Sequence, residues 1–79
     1  MKIVVHYFAQ LAETAGTDAE SIDSASADLG EIYARLDVRH GFGFPPSVLK
    51  PVCNNALVGW AHVVQEGDVI AFLPPFSGG

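Results

Sequence analysis

The sequence predicts an α+β domain in which a mixed sheet of four to five strands packs on one main helix. Residues 3–8 and Val69–Leu73 are dense in β-branched and aromatic residues, which is typical of strands. An amphipathic helical pattern lies between them. A chain of 79 residues with 49% hydrophobic content buries one small core, so we expect residues 1–79 to form a single domain.

The first part of the chain predicts a strand, a helical turn and a second strand. Only His6 interrupts the apolar character of residues 3–8, so this strand is predicted to be well buried. Residues 9–15 favour a helical turn that Gly16 ends, and residues 21–23 are weakly strand-like.

The main helix is predicted to begin after Ser26, which can cap it, and Asp28 lies in its first turn, where a negative charge is favoured. Gly41 is expected to end it. Its apolar residues recur at i, i+3, i+4 and i+7: Leu29, Ile32, Tyr33 and Leu36.

The second half predicts a loop, a hairpin and a last strand. Two glycines and two prolines prevent regular structure in residues 41–46, so Phe42 and Phe44 are expected to pack this loop onto the core. A hairpin is predicted around Asn54 and Asn55, because asparagine tolerates left-handed turn conformations. Pro74-Pro75 stops the strand that ends at Leu73.

Composition excludes several classes of function. Nine acidic against four basic residues give a net charge of −5, which disfavours nucleic acid and favours a basic protein surface as partner. The apolar runs are too short for a membrane span, and no secretory signal pattern is present, so we expect no membrane association and a cytoplasmic location.

The remaining candidate side chains favour structural roles. A lone cysteine in an apolar strand, Cys53, is expected to be a small buried hydrophobe and not a persulfide relay. Trp60 is expected to pack on the core, and Glu66 and Asp68 to form a solvated turn. We expect no metal, because the histidines lack metal-ligand spacing and lie in different predicted elements: His6, His40 and His62.

The feature that carries chemistry is the segment after Pro74-Pro75. Residues 76–79 are predicted to be a flexible tail with a reach of roughly 13 Å, at about 3.3 Å per residue. Two glycines, Gly78 and Gly79, can thread a channel too narrow for a Cβ atom. The α-carboxylate of Gly79 resists attack, so its chemistry requires activation by another enzyme, most directly as an acyl-adenylate. A frayed terminus is the simpler alternative, but the strand and prolines before the tail favour function.

Several short motifs along the chain occur together in one known family: Phe8-Ala9-Gln10, Asn54 before Leu57-Val58, Gly67-Asp68, and Phe72-Leu73-Pro74-Pro75-Phe76-Ser77-Gly78-Gly79. Through them the chain resembles, over nearly its whole length, the small subunits of molybdopterin synthase, which are ubiquitin-like β-grasp sulfur carriers. Cys53 and the loop at residues 41–46 depart from the family pattern.

This resemblance implies a sulfur carrier that is not catalytic alone. An E1-like adenylyltransferase would use ATP to activate Gly79, and a sulfur donor would convert it to a thiocarboxylate. Sulfur would then pass to cyclic pyranopterin monophosphate within the large synthase subunit, in a complex where two small subunits flank a dimer of large ones. No bound cofactor is implied.

The resemblance also implies roles for residues near the tail. Gly78 and Ser77 would thread the partner's pocket. The residues implied to contact the large subunit are Phe8, Leu57, Leu73, Pro74, Pro75 and Phe76. From the sequence alone, Phe8, Leu57 and Leu73 could equally belong to the core.

Two further functions stay open. The same carrier chemistry could serve the thiazole of thiamine, a tRNA thiouridine or cysteine, although Pro74-Pro75 before the tail favours molybdopterin. Alternatively, the chain could be a ubiquitin-like modifier that joins Gly79 to lysines, or a plain interaction module of the same fold.

Overall fold

Residues 1–75 are described by a computed structural model of the chain. The predicted tail, with Phe76, Ser77, Gly78 and Gly79, lies outside the described residues. A 3₁₀ turn at Pro46–Val48 precedes the third strand. The helices and strands, in chain order, are β1 (Lys2–His6), α1 (Ala9–Ala15), β2 (Ala19–Asp23), α2 (Leu29–His40), β3 (Lys50–Cys53), β4 (Ala56–Leu57) and β5 (Val69–Leu73).

The strands form one mixed sheet with the order β2-β1-β5-β3-β4. The central strand β5 runs parallel to β1, with Val5 opposite Ile70, and antiparallel to β3, with Pro51 opposite Phe72. The β1–β2 and β3–β4 pairs are antiparallel. The prediction of a mixed sheet of four to five strands is confirmed, with five strands.

The core lies between one face of the sheet and α2. All four apolar residues of the predicted helical stripe are buried: Leu29, Ile32, Tyr33 and Leu36. They pack in one cluster with alternate residues of β1 and β5: Ile3, Val5, Ile70 and Phe72. The prediction of one main helix is confirmed, and α1 adds a shorter one that ends at Gly16 in the left-handed conformation, with φ of 76°.

The first strand is less buried than predicted. Its burial alternates: Ile3 and Val5 are buried, whereas Lys2 and His6 are exposed and Val4 is half-buried. The reason is that α2 covers only one face of the sheet, so period-two alternation places every second side chain on the other face.

The cap of α2 differs from the predicted one. Asp28, not Ser26, is the N-cap residue, and its Oδ1 accepts hydrogen bonds from the amides of Gly30 and Glu31 at 2.7 and 3.2 Å. Ser26 Oγ instead accepts a hydrogen bond from the backbone amide of Asp28 at 3.0 Å, in the segment that precedes the helix. The predicted end at Gly41 is confirmed, with φ of 75°.

The predicted hairpin and loop are both confirmed. Asn54 and Asn55 form a two-residue turn between β3 and β4, with φ values of 50° and 69°. Phe42 and Phe44 are half-buried against the core, and the Tyr33 hydroxyl donates to the carbonyl of Phe44 at 2.7 Å. Within residues 1–75, the helices are too short and too polar to cross a membrane.

Candidate functional site

A shallow apolar groove of about 310 Å³ lies on the sheet face that α2 does not cover. We call it the open-face groove. Its lining is contributed by four strands and by residues next to them: His6, Phe8, Val52, Asn55, Leu57, Val69, Ile70, Ala71 and Leu73. This groove contains three of the residues predicted to contact a partner.

Strand register explains why these side chains meet. His6 lies opposite Ala71, Ala71 lies opposite Val52, and Val52 lies opposite Leu57. Residues opposite one another on neighbouring strands point to the same face, so this row crosses the sheet from β1 to β4. The result is a surface with little charge, in which His6 and Asn55 contribute the polar side chains of the groove lining.

Phe8, Leu57 and Leu73 lie outside the buried core, to which the sequence alone could equally have assigned them. Phe8 is 46% exposed and Leu57 is 67% exposed, and Leu73 is half-buried. None of the three belongs to the buried core cluster. Exposed apolar side chains gathered around one depression are typical of a protein-binding surface.

The two prolines after β5 lie in different environments. Pro74 is buried and Pro75 is exposed, so the chain passes from the sheet to solvent between them. Leu73, the last residue of β5, lies opposite Lys50, the first residue of β3. The central strand therefore delivers the chain toward residues 76–79 from the same sheet that carries the groove.

The other groove residues were not among the partner contacts expected from the sequence: His6, Val52, Asn55, Val69, Ile70 and Ala71. The period-two arrangement of side chains along β5 could have revealed this face of the sheet, because Val69, Ala71 and Leu73 share one face while Ile70 and Phe72 point to the core. Because β5 is apolar at every position, its sequence shows no alternation of polar and apolar residues that would distinguish the two faces. Val52 becomes apparent only through its pairing with Leu57 and Ala71.

A polar cluster at the edge of the core is separate from the groove. Glu20 Oε1 accepts from the Tyr7 hydroxyl at 2.6 Å and lies 2.9 Å from His40 Nε2, and Glu20 Oε2 lies 3.2 Å from the Arg39 guanidinium. Burial alone would raise the pKa of Glu20, but the hydrogen bonds from Tyr7 and His40 and the charge of Arg39 together lower it. Burial and the bond to Glu20 raise the pKa of Tyr7. The cluster ties β2 to the end of α2.

Cys53 is buried, as predicted, and is not poised for nucleophilic chemistry. Burial raises the pKa of its thiol to about 11, and the hydrogen bond from Sγ to Asp68 Oδ2, at 3.3 Å, acts in the same direction. The thiol is therefore protonated at neutral pH, whereas nucleophilic attack requires the thiolate. Asp68 is also confirmed as a turn residue, because its Oδ2 accepts from the amide of Gln65 at 2.9 Å.

The mixed five-stranded sheet packed on α2 defines a ubiquitin-like β-grasp protein, and the other face of its sheet carries the exposed apolar open-face groove. The model of the ThiS family matches residues 5–79, and the chain belongs to that family. It is 34% identical over 80 residues to the molybdopterin synthase sulfur carrier subunit of Escherichia coli, with 98% of this chain and 99% of that protein covered.

Solved structures agree with this assignment. SAMP1 from Haloferax volcanii superposes with a TM-score of 0.80 and 25% identity, covering all of both chains. A chain in the complex of subunits 1 and 2 of the molybdopterin-converting factor from Helicobacter pylori superposes with a TM-score of 0.69 and 28% identity, again covering all of both chains. The resemblance found in the sequence is confirmed.

Proposed function

We propose that this chain is the sulfur-carrying small subunit of a molybdopterin synthase and donates sulfur from a thiocarboxylate on Gly79 to cyclic pyranopterin monophosphate. The observation that carries the proposal is its 34% identity, over nearly the full length of both chains, to the Escherichia coli sulfur carrier subunit. The chain is not catalytic alone in this proposal.

The open-face groove supports the choice of partner. In the proposed complex, Phe8, Leu57 and Leu73 dock on the large synthase subunit, and Pro74 and Pro75 direct the following residues toward its pocket. The similarity to a chain in the complex of subunits 1 and 2 of the Helicobacter pylori molybdopterin-converting factor supports a pairing of this kind. Burial of the three apolar side chains supplies the favourable free energy, at about 25 cal/mol per Å² of apolar surface removed from water.

The chemistry proceeds in three stages in this proposal. An E1-like adenylyltransferase joins AMP from ATP to the Gly79 carboxylate and releases pyrophosphate. A sulfur donor displaces AMP and leaves the thiocarboxylate. The tail then enters the large subunit, with Phe76 at the mouth of the pocket and Ser77 and Gly78 in the channel, where the absence of a Cβ at Gly78 and Gly79 permits close approach.

Intact-protein mass spectrometry tests the proposal. The purified chain, incubated with the adenylyltransferase, ATP and a sulfur donor, is expected to gain the mass difference between oxygen and sulfur at Gly79. A variant that lacks Gly79 is the matched control and is expected to keep its mass. An unchanged mass of the intact chain under conditions that convert the Escherichia coli subunit would refute the carrier function.

A second candidate is a ubiquitin-like modifier, which the full-length similarity to SAMP1 favours. In that case Gly79 forms isopeptide bonds with lysines of other proteins. Proteolysis of cell extracts, followed by mass spectrometry, distinguishes the two: Gly79 joined to lysines of many proteins supports the modifier.

A pull-down on the immobilised chain tests a third candidate, a sulfur carrier for thiamine. Recovery of a thiazole synthase, in place of a large synthase subunit, would assign the sulfur to the thiazole of thiamine.

A further inference from the structure

Three side chains with metal-binding chemistry meet at the end of the sheet beside the Asn54–Asn55 turn. Cys53 ends β3, His62 lies in the segment between β4 and β5, and Asp68 precedes β5. One ligand atom from each, the thiol sulfur, an imidazole nitrogen and a carboxylate oxygen, lies within 4.8 Å of the other two. They border one surface depression.

We propose that Cys53, His62 and Asp68 form a binding site for a thiophilic divalent cation such as Zn²⁺. Sulfur, nitrogen and oxygen ligands of these types hold zinc at about 2.0 to 2.3 Å in a tetrahedral arrangement, which sets the ligand atoms about 3.5 Å apart. Cys53 Sγ and Asp68 Oδ2 already lie 3.3 Å apart. Three protein ligands leave the fourth position for water.

Hydrogen bonds hold the carboxylate in place before any metal arrives. Asp68 Oδ1 accepts from the Asn54 side-chain amide at 3.0 Å, and Oδ2 accepts from the backbone amide of Gln65 at 2.9 Å. Partners of this kind orient a metal ligand and strengthen its binding. The amide of Asn54 is itself fixed, because its Oδ1 accepts from the amide of Val69 at 3.0 Å.

The imidazole of His62 is the ligand that must move to complete the metal site. Its side chain is exposed, so the imidazole can rotate toward the other two ligands without disturbing the core. Its backbone is held by a hydrogen bond from the amide of His62 to the carbonyl of Gly59 at 3.1 Å. One nitrogen of the imidazole already lies within 4.8 Å of a carboxylate oxygen of Asp68 and of the Cys53 sulfur.

Metal binding converts the thiol to a thiolate. The cation replaces the Cys53 proton, a sulfur–metal bond forms, and the proton passes to water or buffer. Because the thiol must lose its proton before the sulfur binds the metal, metal binding competes with the proton and tightens as the pH rises. The carboxylate exchanges a weak thiol hydrogen bond for direct coordination.

Titration of the full chain with Co²⁺, followed by displacement with Zn²⁺, tests the site. We expect one metal ion per chain, a thiolate-to-cobalt charge-transfer band and release of one proton. Cys53→Ser is expected to lose the band. His62→Ala, which changes an exposed side chain, is expected to bind at least about tenfold more weakly.

His6→Ala is the matched control, because His6 is also exposed but lies in the open-face groove. It is expected to bind the metal as the unchanged chain does. Absence of the charge-transfer band at saturating Co²⁺ would overturn the proposal, as would His62→Ala binding with undiminished affinity. The measurement involves neither Gly79 nor a partner, so its outcome is independent of the proposed carrier function.

Discussion

Trp60 stacks on Phe72, with ring centroids 5.6 Å apart and ring planes inclined by 15°. Phe72 is 1% exposed and also packs against Tyr33 of α2, with centroids 5.3 Å apart. The stack therefore joins the segment after β4 to the central strand, and the central strand to the main helix. Aromatic pairs of this kind contribute about 0.5–1.5 kcal/mol beyond the burial of their surface.

Phe72→Ala is expected to lower the free energy of unfolding by about 3–5 kcal/mol, because it leaves a cavity between the sheet and α2. Phe8→Ala is the matched control: its ring is 46% exposed on the opposite face, so we expect a much smaller loss. Urea denaturation followed by circular dichroism measures both. Equal losses for the two variants would contradict the assignment of the faces.

Asp28→Ala is expected to lower the free energy of unfolding by about 1 kcal/mol, because two helical amides lose their acceptor at the N-terminus of α2. Ser26→Ala, the comparison, removes an acceptor only from the amide of Asp28. We therefore expect a smaller loss for Ser26→Ala in the same denaturation measurement. The reverse order would place the cap at Ser26.

The carboxylate of Glu20 is expected to make the stability depend on pH in the acid range. Its pKa is lower in the folded chain than its ordinary value of 4.5, so the unfolded chain binds the proton more readily. This stabilisation is present above the unfolded-state pKa and is lost as the pH falls through the lower folded-state value.

Glu20→Gln removes this titration. The difference in unfolding free energy between the unchanged chain and the variant is expected to be largest near neutral pH and to shrink on acidification. Urea denaturation at several pH values measures it. A difference that stays constant across the acid range would show that the Glu20 charge contributes nothing.

Leu57→Glu is expected to weaken binding to the large synthase subunit by about tenfold or more, because it places a charge in the apolar row across the open face. Val38→Glu is the matched control, since Val38 is 89% exposed on α2 and lies outside the groove lining. Calorimetric titration of the large subunit measures both affinities. Equal weakening by the two substitutions would show that the open-face groove is not part of the interface with the large subunit.

The sequence sufficed for the elements whose signal is local. The apolar residues of α2 recur with the helical period, and the asparagines of the hairpin suit positive φ, so both elements could be predicted. The choice between Ser26 and Asp28 as cap could not be made, because both residue types favour the position and only the backbone geometry separates them.

Sites that depend on the order of the strands in the sheet could not be predicted from the sequence. The pairing of Ala71 with both His6 and Val52 follows from β5 lying between β1 and β3, and no local pattern states that order. The same holds for Cys53, His62 and Asp68, whose spacing matches no metal motif although the fold brings them together. The roles predicted for residues 76–79 remain predictions.

The central position of β5 has a consequence for how the protein is made. Without β5, the sheet consists of two separate antiparallel pairs, β2 with β1 and β3 with β4. Among the strands of residues 1–75, β5 leaves the ribosome last, so the sheet closes only after residues 69–73 have been synthesised, through contacts as distant as Val5 with Ile70. A chain that stops before β5 would therefore contain two unjoined strand pairs and no open-face groove, because Val69, Ala71 and Leu73 of β5 line it.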